Sequence, residues 1–191
     1  MEAHKYDRRG SSLEGRLAEN LFEEVCKIHK QKYVNASLKE DCAGIDGYLN
    51  GRKLDVKARK KRIPANSTWI ELARANGRIS SGWAFANKLI AQLMLYEEAK
   101  FITKAQFGLY HTEDLKDMLS KIIKDNIVAK KGELYKIYTR PAEEKGELHR
   151  GIMTVLKYAD IEKLPSFVPM EVPNSLLGPV KIEYGYLGIK C

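Results

Sequence analysis

The stretch Gly44-Ile45-Asp46-Gly47-Tyr48-Leu49-Asn50-Gly51-Arg52-Lys53-Leu54-Asp55-Val56-Lys57 decides how this chain is read. Asn50-Gly51 is the strongest short signal for a two-residue hairpin loop, because both residues tolerate the positive φ of a type I′ turn. Residues 44–49 and 52–58 therefore read as paired antiparallel strands. Outward from the loop, Leu49 faces Arg52, Tyr48 faces Lys53, Gly47 faces Leu54, and Asp46 faces Asp55. Directly opposed residues hold their Cβ atoms about 4.5–5.5 Å apart, so two such carboxylates repel unless a cation or proton lies between them. Side chains alternate along a strand, which puts Lys57 with Asp55 on one face and Ile45, Leu54 and Val56 on the other. The expected result is an apolar inner face and an outer cluster of two acids and an amine. A solvated hairpin with ordinary alternating charges is the plain alternative. The direct opposition of like charges counts against it.

Around the hairpin the chain alternates helical and extended patterns. Ser11 or Ser12 is placed to cap a helix running to about Lys30, with Leu17, Ala18, Leu21, Phe22, Val25 and Ile28 as its apolar stripe. A weak strand follows over residues 33–38. Beyond the hairpin, residues 68–73 read as a strand, 77–82 as a loop and 85–99 as a second helix. Residues 101–110 read as a strand, 112–126 as a capped helix, and 134–139 and 152–158 as further strands. Pro165, Pro169, Pro173 and Pro179 make the C-terminal stretch look irregular. The expectation is one α/β domain, with a core over about residues 10–140 and a proline-rich extension over about 141–191.

Composition narrows the function classes. The chain has 191 residues, 44% of them hydrophobic, enough for a real core. No window offers the roughly 18 uninterrupted apolar residues of a membrane span. The charged start, Met1 to Gly10, does not read as a secretory signal, so a cytoplasmic location with free thiols at Cys26, Cys42 and Cys191 is expected. Those cysteines and the histidines at 4, 29, 111 and 149 lack zinc-site spacing. A net charge of +8 favours a polyanionic partner. The cations Lys57, Arg59, Lys60, Lys61 and Arg62 are concentrated directly after the paired acids.

Taken together, Arg9-Gly10-Ser11-Ser12-Leu13-Glu14, Gly44-Ile45-Asp46-Gly47 and Leu54-Asp55-Val56-Lys57 resemble the PD-(D/E)xK nuclease superfamily. The nearest types are archaeal Holliday-junction resolvases and related phage nucleases. The ordered set spans about residues 10–62, and no proline precedes Asp46. The resemblance implies a restriction-endonuclease-like fold: a mixed central sheet flanked by helices, with an αβββαβ core. It implies a metal-dependent endonuclease hydrolysing DNA phosphodiester bonds, with junction or branched DNA among its substrates. Glu14, Asp46 and Asp55, with the Val56 carbonyl, would hold Mg²⁺, or Mn²⁺ in its place. Lys57 would complete the catalytic set, and Arg59, Lys60, Lys61 and Arg62 would bind DNA phosphates. Double-strand cutting needs two sites, which makes a homodimer a natural assembly. A non-catalytic nucleic-acid-binding protein on this scaffold, and an RNA-processing nuclease of the same fold, stay open.

The helix-borne acid is a choice between Glu14 and Glu19. At ~100° per residue, Glu14 falls within the apolar stripe near the helix start and Glu19 at its edge, which selects Glu14. Ser11-x-x-Glu14 also reads as a capping box that needs no metal. Gln92 and Tyr96 form a Q-x-x-x-Y pair resembling the extra motif of RecB-type nucleases, but at a long separation from Lys57, so ordinary helix surface is expected. Glu71 is expected to be an edge or solvent-facing acid, and Trp83 to pack under a loop.

Overall fold

The Asn50-Gly51 turn forms as its sequence demands, with φ values of 50° and 81°. In the computed structural model it joins β2 (Gly47–Leu49) to β3 (Arg52–Lys57), and Leu49 pairs with Arg52, Tyr48 with Lys53 and Gly47 with Leu54. The structure describes residues 9–42, 44–58, 63–75, 79–99, 101–125, 133–144 and 147–178. β1 (Tyr33–Asn35) pairs antiparallel with β2. A Cβ at Gly47 would lie 2.5 Å from the Tyr33 ring, so a larger residue there would have to displace that ring.

On its other side β3 runs parallel to β6 (Leu89–Glu98), which pairs antiparallel with β7 (Phe101–His111). β10 (Val168–Glu171) closes a six-stranded mixed sheet in the order β1-β2-β3-β6-β7-β10. A second, four-stranded sheet is made of β4 (Ser67–Ala75), β5 (Ile79–Ser81), β8 (Tyr138–Glu144) and β9 (Glu147–Lys157), in the order β5-β4-β9-β8. The helices are α1 (Arg9–Ile28), α2 (Leu38–Cys42), α3 (Lys116–Asp125) and α4 (Tyr158–Ile161). Short 3₁₀ turns cover Trp83–Phe85, Thr112–Leu115 and Asn174–Leu176.

Two apolar layers hold this together. Ala18, Leu21, Phe22, Val25 and Cys26 of α1 pack on Leu54, Val56, Ala91, Leu93 and Phe107, one face of the main sheet. Ile90, Met94 and Tyr110 on the opposite face pack on Ile70, Leu72 and Leu156 of the second sheet, with Leu115, Leu119 and Ile122 closing one end. The architecture is therefore α/β, a mixed sheet flanked by helices, with a second sheet inserted on one side.

Several expectations change. Residues 85–99 do not form a helix: Trp83–Phe85 is a 3₁₀ turn and β6 is a ten-residue strand. Leu89 to Leu95 is buried at every position, between α1 and the second sheet. Such a run shows neither helical nor alternating period, so periodicity misleads. The loop expected at 77–82 contains β5. The C-terminal stretch is not irregular through 178: β9 lies inside the second sheet and β10 on the edge of the first. Pro169 sits in β10 on that edge, where its missing N–H costs no ladder bond. Residues 179–191 lie outside the described residues. α1 already includes Arg9 and Gly10, so Ser11 and Ser12 do not cap it. It ends at Ile28, with Lys30 at φ 54° and the Gln31 N–H returning to the Cys26 carbonyl at 2.8 Å. No described helix is long and apolar enough to cross a membrane.

Candidate active site

The two faces of β3 carry opposite chemistry. Leu54 and Val56 turn to α1. Asp55 and Lys57 are in register with Ile90 and Gln92 of β6, on the face toward the second sheet. The expected outer cluster is thus an inner one: Asp55 is 1% exposed. A carboxylate so deep must be paired to stay charged. The Lys57 ammonium contacts one of its oxygens and the Lys88 ammonium the other. Burial works to raise the Asp55 pKa, but the two lysines outweigh it and hold the carboxyl below the usual range.

Asp46 approaches from the other arm. Its N–H donates to the Leu54 carbonyl at 2.9 Å, and its Oδ2 accepts from the Val56 N–H at 2.6 Å. The β2–β3 ladder itself ends at the Gly47–Leu54 pair, so Asp46 bends onto the edge of β3 rather than standing squarely opposite Asp55. Burial, then the charge of Asp55, push the Asp46 carboxyl up to about 7, although Lys57 works to lower it. Near neutral pH the aspartates divide the roles of charged and proton-holding acid. Just ahead of Asp46, α2 carries a capping box. The Ser37 N–H donates to Glu40 Oε2 at 2.9 Å, and the Tyr48 hydroxyl also donates to Glu40.

Lys88 is the residue that sequence reading did not find. It lies just before β6, and its Nζ also donates to the Gly44 carbonyl at 2.9 Å. Its backbone is fixed by the Lys88 N–H on Thr112 Oγ1 at 3.1 Å and the Thr112 N–H on the Lys88 carbonyl at 3.0 Å. A lone lysine before an apolar run carries no motif, so only the fold reveals it.

On α1, Glu19 is partly buried, and burial followed by repulsion from Asp41 raises its carboxyl. Lys57 and Asp55 also act on it, with opposite signs, which places Glu19 within the field of the cluster. The Glu14 backbone belongs to α1, while its side chain lies outside the described residues. So do Arg59, Lys60, Lys61 and Arg62, directly after β3.

Three neighbours complete the surroundings. Gln92 is buried on β6, not on a helix surface, and its Nε2 donates to the Lys57 carbonyl at 3.0 Å. Tyr96 is also on β6, its hydroxyl receiving the Gln106 amide at 2.8 Å and donating to Glu162 at 2.5 Å. The pair is thus structural at the Tyr96 end and adjoins the site only through Gln92. Trp83 packs edge-on to Trp69 with the Lys57 ammonium 5.6 Å from its ring centroid, within cation–π range. Glu71, expected at an edge, is 8% exposed on β4, on the opposite face from Ile70 and Leu72.

Asp46, Asp55, Lys57 and the Val56 backbone are therefore brought together. Among the described residues, no group of three or more His, Cys, Asp or Glu side chains is gathered to hold a metal ion. The thiol of Cys26 is free and buried in the α1 interface, where burial pushes it up to about 12, so it is no nucleophile. Compared with family models, with curated proteins and with solved structures, the chain finds no match.

Proposed function

We propose that this chain is a metal-dependent nuclease hydrolysing DNA phosphodiester bonds at the β2–β3 hairpin. The observation that carries the reading is the buried contact of Asp55 with Lys57, with Asp46 bent onto the same strand. Burying a carboxylate with lysines does not favour stability over an apolar core, so a cluster of this kind calls for a chemical role. The order α1-β1-β2-β3, with its antiparallel three-strand meander, agrees with a restriction-endonuclease-like core. The crossover from β3 to β6 departs from it, since it passes through β4 and β5 instead of a helix.

The donor set suits a hard divalent cation. Asp46, Asp55 and the Val56 carbonyl are all oxygen ligands, the type that Mg²⁺ or Mn²⁺ takes with waters and phosphate oxygens. α1 would add a third carboxylate, Glu14 by the sequence pattern or Glu19 by its position in the field of the cluster. The ion would supply a Lewis acid and ease deprotonation of a water. The protein's own part is to hold Lys57. Asp55 and the Trp83 ring fix its ammonium, where it would orient the attacking water or balance charge growing on the phosphate. Arg59, Lys60, Lys61 and Arg62 follow within five residues and would bind backbone phosphates, which position a strand without reading its sequence.

A second reading has one observation in its favour. Both oxygens of Asp55 are already taken by lysines, as they would be in a nucleic-acid-binding relative that has lost its metal. One panel separates the two: branched, linear duplex and single-stranded DNA, and RNA, each incubated with and without Mg²⁺. Mg²⁺-dependent cleavage that Asp46→Asn abolishes is expected. Binding without cleavage of any substrate would establish the second reading, and cleavage of RNA alone would reassign the substrate.

A further inference from the structure

The Lys88 ammonium sits among oxygens: an Asp55 carboxylate oxygen and the Gly44 carbonyl at 2.9 Å. Those are the ligands a hard divalent cation seeks. Lys57 differs, since the face of Trp83 gives its ammonium a second anchor that no metal would compete for. The charges sharpen the point. Asp46 and Asp55, when ionised, are balanced by Lys57 and Lys88. A divalent ion added to that set, even with one carboxylate from α1, would leave positive charge uncompensated where water screens poorly. One lysine must withdraw. The Lys88 side chain is 12% exposed and long enough to turn outward on its fixed backbone.

We propose that Lys88 holds the cation position of this site, bridging Asp55 and the Gly44 carbonyl, and that a divalent metal binds only by displacing it. The inference rests on the metal-dependent reading above. In the metal-free protein Lys88 ties the turn before Asp46 to β3 and so keeps the two arms of the hairpin together. Metal entry exchanges one cation for another, and metal affinity is set against the strength of the Lys88 contact.

The test is direct binding of Mn²⁺ alone, followed by electron paramagnetic resonance of the free ion, on the full chain and on Lys88→Met and Lys88→Gln. Thermal melts confirm that the variants fold. Gln keeps a donor for the Gly44 carbonyl but has no charge. Both variants are expected to bind Mn²⁺ more tightly, on the order of tenfold, because one charged hydrogen bond no longer has to be broken. Mn²⁺ bound by a variant and not by the parent chain would support the same conclusion. Unchanged or weaker binding in both variants would overturn it, and so would failure of both to fold, since a lysine that must stay cannot yield its place. If neither the parent nor the variants bind Mn²⁺, the metal-dependent reading fails and the displacement idea with it. That outcome is distinct from a parent that binds as tightly as its variants.

Discussion

Asp46 and Asp55 are the same residue type on two arms of one hairpin, yet the fold makes them chemical opposites. Asp55 is flanked by Lys57 and Lys88 and stays ionised below the usual carboxylate range. Asp46 is pushed up to about 7 by burial and then by the charge of Asp55, and the Val56 N–H and Lys57 only partly offset that rise. The difference arises from what each arm faces. β3 carries its own lysine two residues on and meets Lys88 at the start of the paired strand β6, whereas the turn into β2 supplies no side-chain cation. A hairpin can thus pair a permanent anion with an acid able to exchange a proton near neutrality, an arrangement useful to hydrolysis.

The largest effect should come from removing the charge on the β3 arm. Asp55→Asn leaves two largely buried ammoniums with only Asp46 to balance them and should cost about 3 kcal/mol of stability in the metal-free protein. Urea unfolding at pH 7 measures it. Adding Lys88→Met to Asp55→Asn should recover part of that loss, because the two substitutions remove partners of one ion pair. An Asp55→Asn protein as stable as the parent would mean that the lysines reach water freely, and the contrast between the two arms would collapse.

The β2 arm should respond in the opposite sense. The folded Asp46 carboxyl titrates near 7, against an ordinary value of 3.8. Between those values the folded state binds more protons than the unfolded chain, so stability falls as pH rises through the window. Asp46→Asn keeps an acceptor for the Val56 N–H and removes the ionisation. It should flatten the pH profile between roughly 4 and 7 and leave the variant more stable than the parent at pH 8 by about 2 kcal/mol. Melting temperatures across pH 4–8 check this. A parallel pH dependence in parent and variant would place the titration elsewhere.

How much of this was legible in the sequence follows from the range of each interaction. The hairpin register was readable because Asn50-Gly51 fixes it locally, and counting held as far as the Gly47–Leu54 pair but missed the bend that takes Asp46 out of register with Asp55. The strand nature of β6 was not. Leu89 to Leu95 is buried from two sides by elements distant in sequence, which erases the alternation that marks a half-buried strand. The same error moved Gln92 from the side of Lys57 to an imagined helix surface. Burial of Asp55 was invisible for a related reason: no local pattern announces that a second sheet covers that face. Lys88 reaches Asp55 across 33 residues of chain, a contact set only by the β3–β6 register.

The smallest effect concerns the carboxylate of α1, where the phase of the helix and the electrostatic field of the cluster point to different residues. Counting by turns favours Glu14, four residues ahead of the buried Ala18. The field of the cluster reaches Glu19, which burial and Asp41 raise above its ordinary range while Lys57 pulls it down. A raised carboxylate costs stability once ionised, and that cost grows as pH passes upward through its titration. Glu19→Gln should therefore stabilise the metal-free protein slightly at pH 8, by less than about 1 kcal/mol, read as a small rise in melting temperature. If Glu19 is also the third oxygen donor, the same variant should bind Mn²⁺ several-fold more weakly and need more Mg²⁺ for half-maximal cleavage. A gain in stability beside a loss in metal affinity is the signature of an acid held near other acids for a ligand. Glu14→Gln is the comparator. Weaker Mn²⁺ binding in Glu14→Gln, with Glu19→Gln unaffected, would return the role to Glu14 and show that helix phase, not the field at the cluster, identifies the donor.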